Sequence, residues 1–169
     1  MGVTIHFEGR LKHPKAYPLL LDALNEYAAN HNWPVMQIRE EHRTLHRVRD
    51  EKDWEYSGLT FGLELQPSEN SDPLRFEFDK DYFVQEFIKT QFAGSELHIE
   101  VINLFRLIQP YFDKLDICGE GDFWETSDEK LLTEHIENCD RALQKMLVEN
   151  PKAKGPVRLP DGRIVDYMS

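Results

Sequence analysis

The chain has 169 residues, 40% hydrophobic and 30% charged, with a formal net charge of −11. That length suits one domain able to bury about two-thirds of its unfolded surface, and the apolar content excludes a disordered chain. Residues 1–94 carry 11 basic and 16 acidic side chains, residues 95–150 carry 5 and 13, and the tail from 151 carries 4 and 2, a field that repels nucleic-acid backbone and anionic lipid, so neither is expected as a partner.

The opening MGVTIHFEGRLK has no apolar core behind a basic start, so no secretory signal is expected. His6 stands where a myristoylation motif needs Ser or Thr. No apolar run approaches the length of a membrane span. Cys118 and Cys139 fall in different predicted elements, which suits two free thiols in a reducing cytoplasm.

Residues 3–11 alternate, with Val3, Ile5 and Phe7 on one side and Thr4, His6 and Glu8 on the other, the pattern of a half-buried strand. A helix is expected over about 15–31, its stripe made by Tyr17, Leu20, Leu21, Leu24, Tyr27 and Ala28, with Pro14 and Pro18 in its opening turn. A meander follows. Residues 44–49 read as a strand with an extension back to Val35, 58–66 alternate through Leu59, Phe61, Leu63 and Leu65, and 74–79 alternate through Leu74, Phe76 and Phe78. Between the last two, residues 67–73 have turn composition. Residues 81–92 fit either a helix or a strand.

Ser95 suits the N-cap of a long helix reaching about residue 114, which Pro110 should kink or divide. A short strand is expected within 116–123. Thr126 with Glu129 matches a capping box, with Ser127 or Asp128 as alternative caps, for a last helix ending near 149. Pro160-Asp161-Gly162 then turns a small hairpin. It is too small to stand alone, so it must lie on its own domain or pair with a second copy of the chain. Together these elements predict a single α+β domain over 1–169, with residues 150–169 as its tail. The expected form is a two-layer sandwich, an antiparallel sheet of about four or five strands with three main helices on one face and a C-terminal hairpin.

Chemistry is sparsely signalled. His31, His98 and His135 each lie on or beside a helical stripe and could gather around zinc or move protons. The ordinary alternative puts His31 on the free carbonyls at a helix end and the other two in local hydrogen bonds. His42 and His46 have i, i+4 spacing, but Arg43 replaces the glutamate of HExxH and the segment reads as a strand. The acidic stretch 119–125 lacks the ligand order of a calcium loop. Cys118 has no cationic neighbour in sequence to activate it. No metal or cofactor is implied.

Trp33, Trp54, Tyr56 and Trp124 sit at element ends, where they serve as lids over the core or as anchors for a partner. The polar face of the sheet gathers Thr4, His6, Glu8, Thr60, Glu64, Arg75 and Glu77, with Arg47 and Arg49, as a solvated or electrostatically steered surface. The reading is a cytoplasmic binding or protein-interaction module without catalysis that recognises a basic partner. The alternative is a small hydrolase or isomerase using His98 or His135 with a carboxylate such as Glu125.

Overall fold

In the computed structural model, which describes residues 2–169, the opening alternation becomes β1 (Thr4–Leu11), with Ile5 and Phe7 buried and His6 turned outward. β1 lies between two antiparallel neighbours, β5 (Phe83–Lys89) and β6 (Phe112–Gly119). α1 (Ala16–His31) buries Leu20, Leu24 and Ala28 and stops at Asn32, which adopts the left-handed conformation asparagine tolerates. Next comes a long hairpin, β2 (Val35–Arg49) and β3 (Lys52–Leu65), followed by β4 (Leu74–Phe78) on the other side of β3. Asp50 and Glu51 at its tip both have positive φ, giving a two-residue turn whose twist matches the strands it joins.

The ambiguous segment 81–92 is β5 followed by one 3-10 turn, Gln91–Ala93. α2 (Ser95–Ile108) is the most deeply buried helix, with Val101, Ile102, Leu104, Phe105 and Ile108 free of solvent. It ends six residues short of the expected 114. Pro110 has no N–H to continue the ladder, and the chain passes through a 3-10 turn, Gln109–Tyr111, straight into β6. After α3 (Phe123–Thr126), α4 (Glu129–Glu149) is capped by Asp128, whose carboxylate accepts the Leu131 N–H at 3.0 Å. Thr126 is not the cap. Its hydroxyl donates to the Asp122 carbonyl and accepts the Asp128 N–H.

Among the described residues the fold is mixed α and β, with four helices and three antiparallel sheets, two of them in the orders β5-β1-β6 and β2-β3-β4 and the third a two-stranded pair in the tail. Two three-stranded sheets thus stand where the sequence suggested one sheet of about four or five strands. Both feed one hydrophobic core: Ile5, Phe7 and Ile88 from the first and Leu63, Leu65 and Phe76 from the second meet Leu20, Leu24, Phe105 and Leu132 of the helices. The tail forms β7 (Val157–Arg158) and β8 (Ile164–Val165), with Gly162 at φ 91° completing the turn. It lies against its own chain at β5 and the loop before β4. No helix among the described residues is long and apolar enough to cross a membrane.

Candidate functional site

β4 and β5 follow one another through a tight turn, yet they pair only at their ends. At one end the Asp79 N–H donates to the Phe83 carbonyl and the Asp79 carboxylate accepts the Phe83 N–H. At the other, Asp72 does the same for Lys89, its N–H donating at 3.1 Å and its carboxylate accepting at 2.9 Å. Between them the strands part, and two β5 carbonyls are met by guanidinium groups instead of strand amides. Arg47 donates to the Gln85 carbonyl at 2.7 Å and Arg163 to the Phe87 carbonyl at 2.8 Å. A buried backbone carbonyl must find a donor. Here one comes from the β2–β3 hairpin and the other from the tail.

The hairpin reaches that gap because it bends. The β2–β3 register shifts between Glu40 and Arg43, and Gly58 in β3 adopts φ +150°. Such a bulge kinks and twists the ribbon, so the far half leaves the plane of its sheet and lies across β5 as an arm. Gln85 grips it: its side-chain oxygen accepts the Val48 N–H at 2.8 Å and its amide nitrogen donates to the Val48 carbonyl at 2.7 Å. Farther along, the Tyr56 hydroxyl donates to the Leu59 carbonyl and accepts the Lys80 N–H.

Under the arm lies a cleft of about 890 Å³. Its lining carries six carboxylates (Glu8, Glu40, Glu77, Glu86, Asp116 and Asp161) and four arginines (Arg43, Arg47, Arg75 and Arg163). The arginines are all engaged by the chain itself. Glu77, 1% exposed, accepts from the Thr60 hydroxyl at 2.7 Å and pairs with Arg43 and Arg75, each at 3.1 Å, while Arg75 also reaches Glu64 at 2.7 Å. Burial would lower the Arg75 guanidinium, but Glu77 and Glu64 together hold it above its ordinary value. Arg163 pairs with Glu86 at 2.7 Å. Burial raises the Glu86 carboxyl in spite of that arginine.

Arg47, 2% exposed, is the costliest group. Its guanidinium stacks over the Phe83 ring at 5.4 Å, and its Nε and Nη2 find no hydrogen-bond partner among the described residues. Burial lowers its pKa, opposed by Asp79, Glu86, Glu77 and Glu8.

Against one arginine outside any ion pair, Arg47, stand three such carboxylates, Glu8, Glu40 and Asp161, among the described residues, so the cleft's uncommitted charge is negative. Glu8 has only the Gln85 amide at 3.3 Å, and among the described residues neither Glu8 nor Glu40 is in an ion pair.

Comparison with known proteins finds no matching family model, no matching curated protein and no matching solved structure.

The histidines singled out by sequence each keep separate company. His31 stacks on Tyr27 with its Nδ1 2.9 Å from the Tyr27 carbonyl, at the end of α1. His98 is fully buried, its Nδ1 2.7 Å from the Thr90 hydroxyl. His135 Nε2 lies 3.3 Å from Asp122, at the surface, and Glu125 is exposed on α3. Neither His98, His135 nor Glu125 lines the cleft. Among the described residues no group of three or more His, Cys, Asp or Glu side chains is placed to hold a metal ion.

Of the aromatic candidates, Trp33 is buried against Tyr27 and His31, lidding the first helix. Trp54 and Tyr56 belong to the arm, with Arg49 stacked over Trp54 at 4.9 Å. Trp124 packs on the core under Arg106. None of the four lines the cleft, whereas His6, His42, His46 and Cys118 do.

Gln85, Glu86, Phe87 and Arg163 carry the site and were not singled out by sequence. One signal was there. In register, Glu86 stands opposite buried Phe7, so a charge occupies an inward position between Val84 and Ile88. A strand with a carboxylate on its apolar side marks a place where the sheet opens.

Proposed function

We propose that this chain is a non-enzymatic binding protein that recognises a basic partner through the cleft under the β2–β3 arm. The observation that carries the reading is the state of the cleft's charges. Its arginines are held by the chain's own carboxylates and carbonyls, and Glu8 and Glu40 are left over. The net charge of −11 extends that attraction beyond contact range. In this reading the two three-stranded sheets act as one layer against α1, α2 and α4 and leave their outer face to the partner. Two free thiols fit a reducing, cytoplasmic setting.

Labelled arginine-rich and lysine-rich peptides of equal charge, with a glutamate-rich control, test this by fluorescence anisotropy. Both basic peptides should bind, and binding should weaken at least about tenfold as salt rises from about 0.01 M to about 0.1 M, where the screening length falls from about 30 Å to about 10 Å. Glu8→Gln with Glu40→Gln should cost more affinity than Glu134→Gln with Glu137→Gln on the exposed face of α4. Equal losses from the two pairs, or no binding at low salt, would reject the cleft as the recognition surface.

A further inference from the structure

Arg163 and Ile164 carry the tail onto the domain, and the surroundings of Arg163 suit a guanidinium. Its Nη2 donates to Glu86 Oε2 at 2.7 Å, its Nη1 donates to the Phe87 carbonyl at 2.8 Å and lies 3.5 Å from Asp72, and its centre sits 3.9 Å from the Phe87 ring centroid. The next residue is read as well. The Ile164 N–H donates to the other oxygen of Asp72 at 2.7 Å, and the Ile164 side chain is buried. We propose that these contacts form an arginine subsite of the cleft, filled in cis by the tail, which a partner's arginine followed by an aliphatic residue takes over. The proposal rests on the reading of the chain as a receptor for a basic partner and names the group it receives.

Three features argue for it. Every group that holds the guanidinium belongs to β5 or the loop before β4, so the seat is complete without the tail's own residues. Vacated, it would leave the largely buried Glu86 carboxylate without its cation, which is unfavourable, while the exposed Phe87 carbonyl would turn to water, so a guanidinium from any source is attracted to the site by Glu86.

The occupant is built to be released. β7 and β8 are two residues each, extended by the Lys154–Met168 bridge, and an isolated two-stranded hairpin is marginally stable at best. Its attachment is a handful of side-chain contacts: Arg163 and Ile164 at the seat, Lys89 with Asp166 at 2.5 Å, and Arg158 on the Glu69 and Ser71 carbonyls. The tail also stands at the cleft mouth, where Asp161 and Arg163 are part of the lining.

The geometry selects arginine over lysine. A planar fork can stack on the Phe87 ring while donating to both a carboxylate and a carbonyl, whereas an ammonium offers a point charge and no face. Because the cis arginine must leave first, the affinity seen by a partner is reduced by the fraction of time the seat is filled.

The same two basic peptides, titrated into full-length wild type and Arg163→Ala, decide the matter. The arginine-rich peptide should bind Arg163→Ala about tenfold more tightly than wild type, a difference the size of one charge-assisted contact. Adding Glu86→Gln should abolish the gain, and the lysine-rich peptide should gain clearly less, by the added negative charge alone. If Arg163→Ala does not unfold cooperatively, Arg163→Lys replaces it, keeping the positive charge without the fork, and a smaller gain for the arginine peptide alone is expected. Peptides that bind wild type but gain equally, or not at all, on loss of Arg163 would overturn the subsite and leave the broader reading standing. Absence of binding by either peptide to any form at low salt would overturn both.

Discussion

Gln85 holds Val48 by both of its backbone groups, accepting the N–H at 2.8 Å and donating to the carbonyl at 2.7 Å, across 37 residues of sequence. A side-chain amide thus takes the place of a neighbouring strand and fastens the arm to β5. Gln85→Leu removes both bonds and leaves the Val48 backbone to water. We expect a loss of about 1–2 kcal/mol in stability and faster amide exchange confined to residues 43–57. Hydrogen exchange followed by mass spectrometry checks it. Unchanged protection in that stretch would mean that Arg43, Arg47 and Tyr56 fix the arm without Gln85.

Glu77 is the hub of the cleft floor, shared by Thr60, Arg43 and Arg75. Glu77→Gln keeps an acceptor for the Thr60 hydroxyl but removes the charge shared by Arg43, which is 42% exposed, and Arg75, which keeps Glu64 at 2.7 Å. The expected cost is about 2 kcal/mol in urea unfolding, the size of a lost charge-assisted hydrogen bond. Glu77→Leu combined with Arg75→Leu should cost clearly less than the two single changes added together. Strict additivity would show that the pair is not coupled.

The strands and helices were legible because their apolar spacing is local. The alternation at Leu63 and Leu65 and the stripe of Leu20, Leu24 and Ala28 mark faces that the fold buries, whereas Leu59 and Phe61 stay partly exposed and Thr60 between them is buried. The cleft was not legible, because it depends on where strands fail to pair. Arg47 looks in sequence like one more exposed arginine on a mixed-charge face. It is buried because the bulge after Glu40 and the twist at Gly58 swing it onto a carbonyl 38 residues away. Ile38 and Arg47 lie on one strand that pairs with β3 throughout, yet the Arg47 side chain reaches a β5 carbonyl, a contact that no periodicity encodes.

Gly62 marks the closest approach of β3 to β4. Its φ is +151°, and a Cβ placed on it would lie 1.6 Å from the Phe76 carbonyl oxygen, a backbone atom that cannot swing aside. Gly62→Ala should therefore cost at least about 3 kcal/mol, through strain and loss of the β3–β4 ladder next to Glu77. Gly94→Ala serves as the comparison, since its φ is also positive but nothing lies within 4 Å of its added methyl. Urea midpoints for the two variants separate the steric from the conformational cost, and equal shifts would contradict the close approach.

His98 gives the fold a pH dependence that can be read directly. The ring is fully buried on α2 beside Thr90, its Nε2 has no partner among the described residues, and burial pushes its pKa from the ordinary 6.5 down to about 4. The unfolded chain therefore binds a proton that the folded chain refuses. The stability His98 confers is complete above its unfolded pKa and drains away as the pH falls from about 6.5 towards about 4, by about 3 kcal/mol in all. Urea unfolding at about pH 7 and about pH 5 should show wild type losing about 2 kcal/mol more than His98→Gln over that interval. The carboxylates titrate alike in both proteins and cancel in the comparison. Equal losses in the two would mean that the imidazole is protonated inside the fold and would overturn the reading.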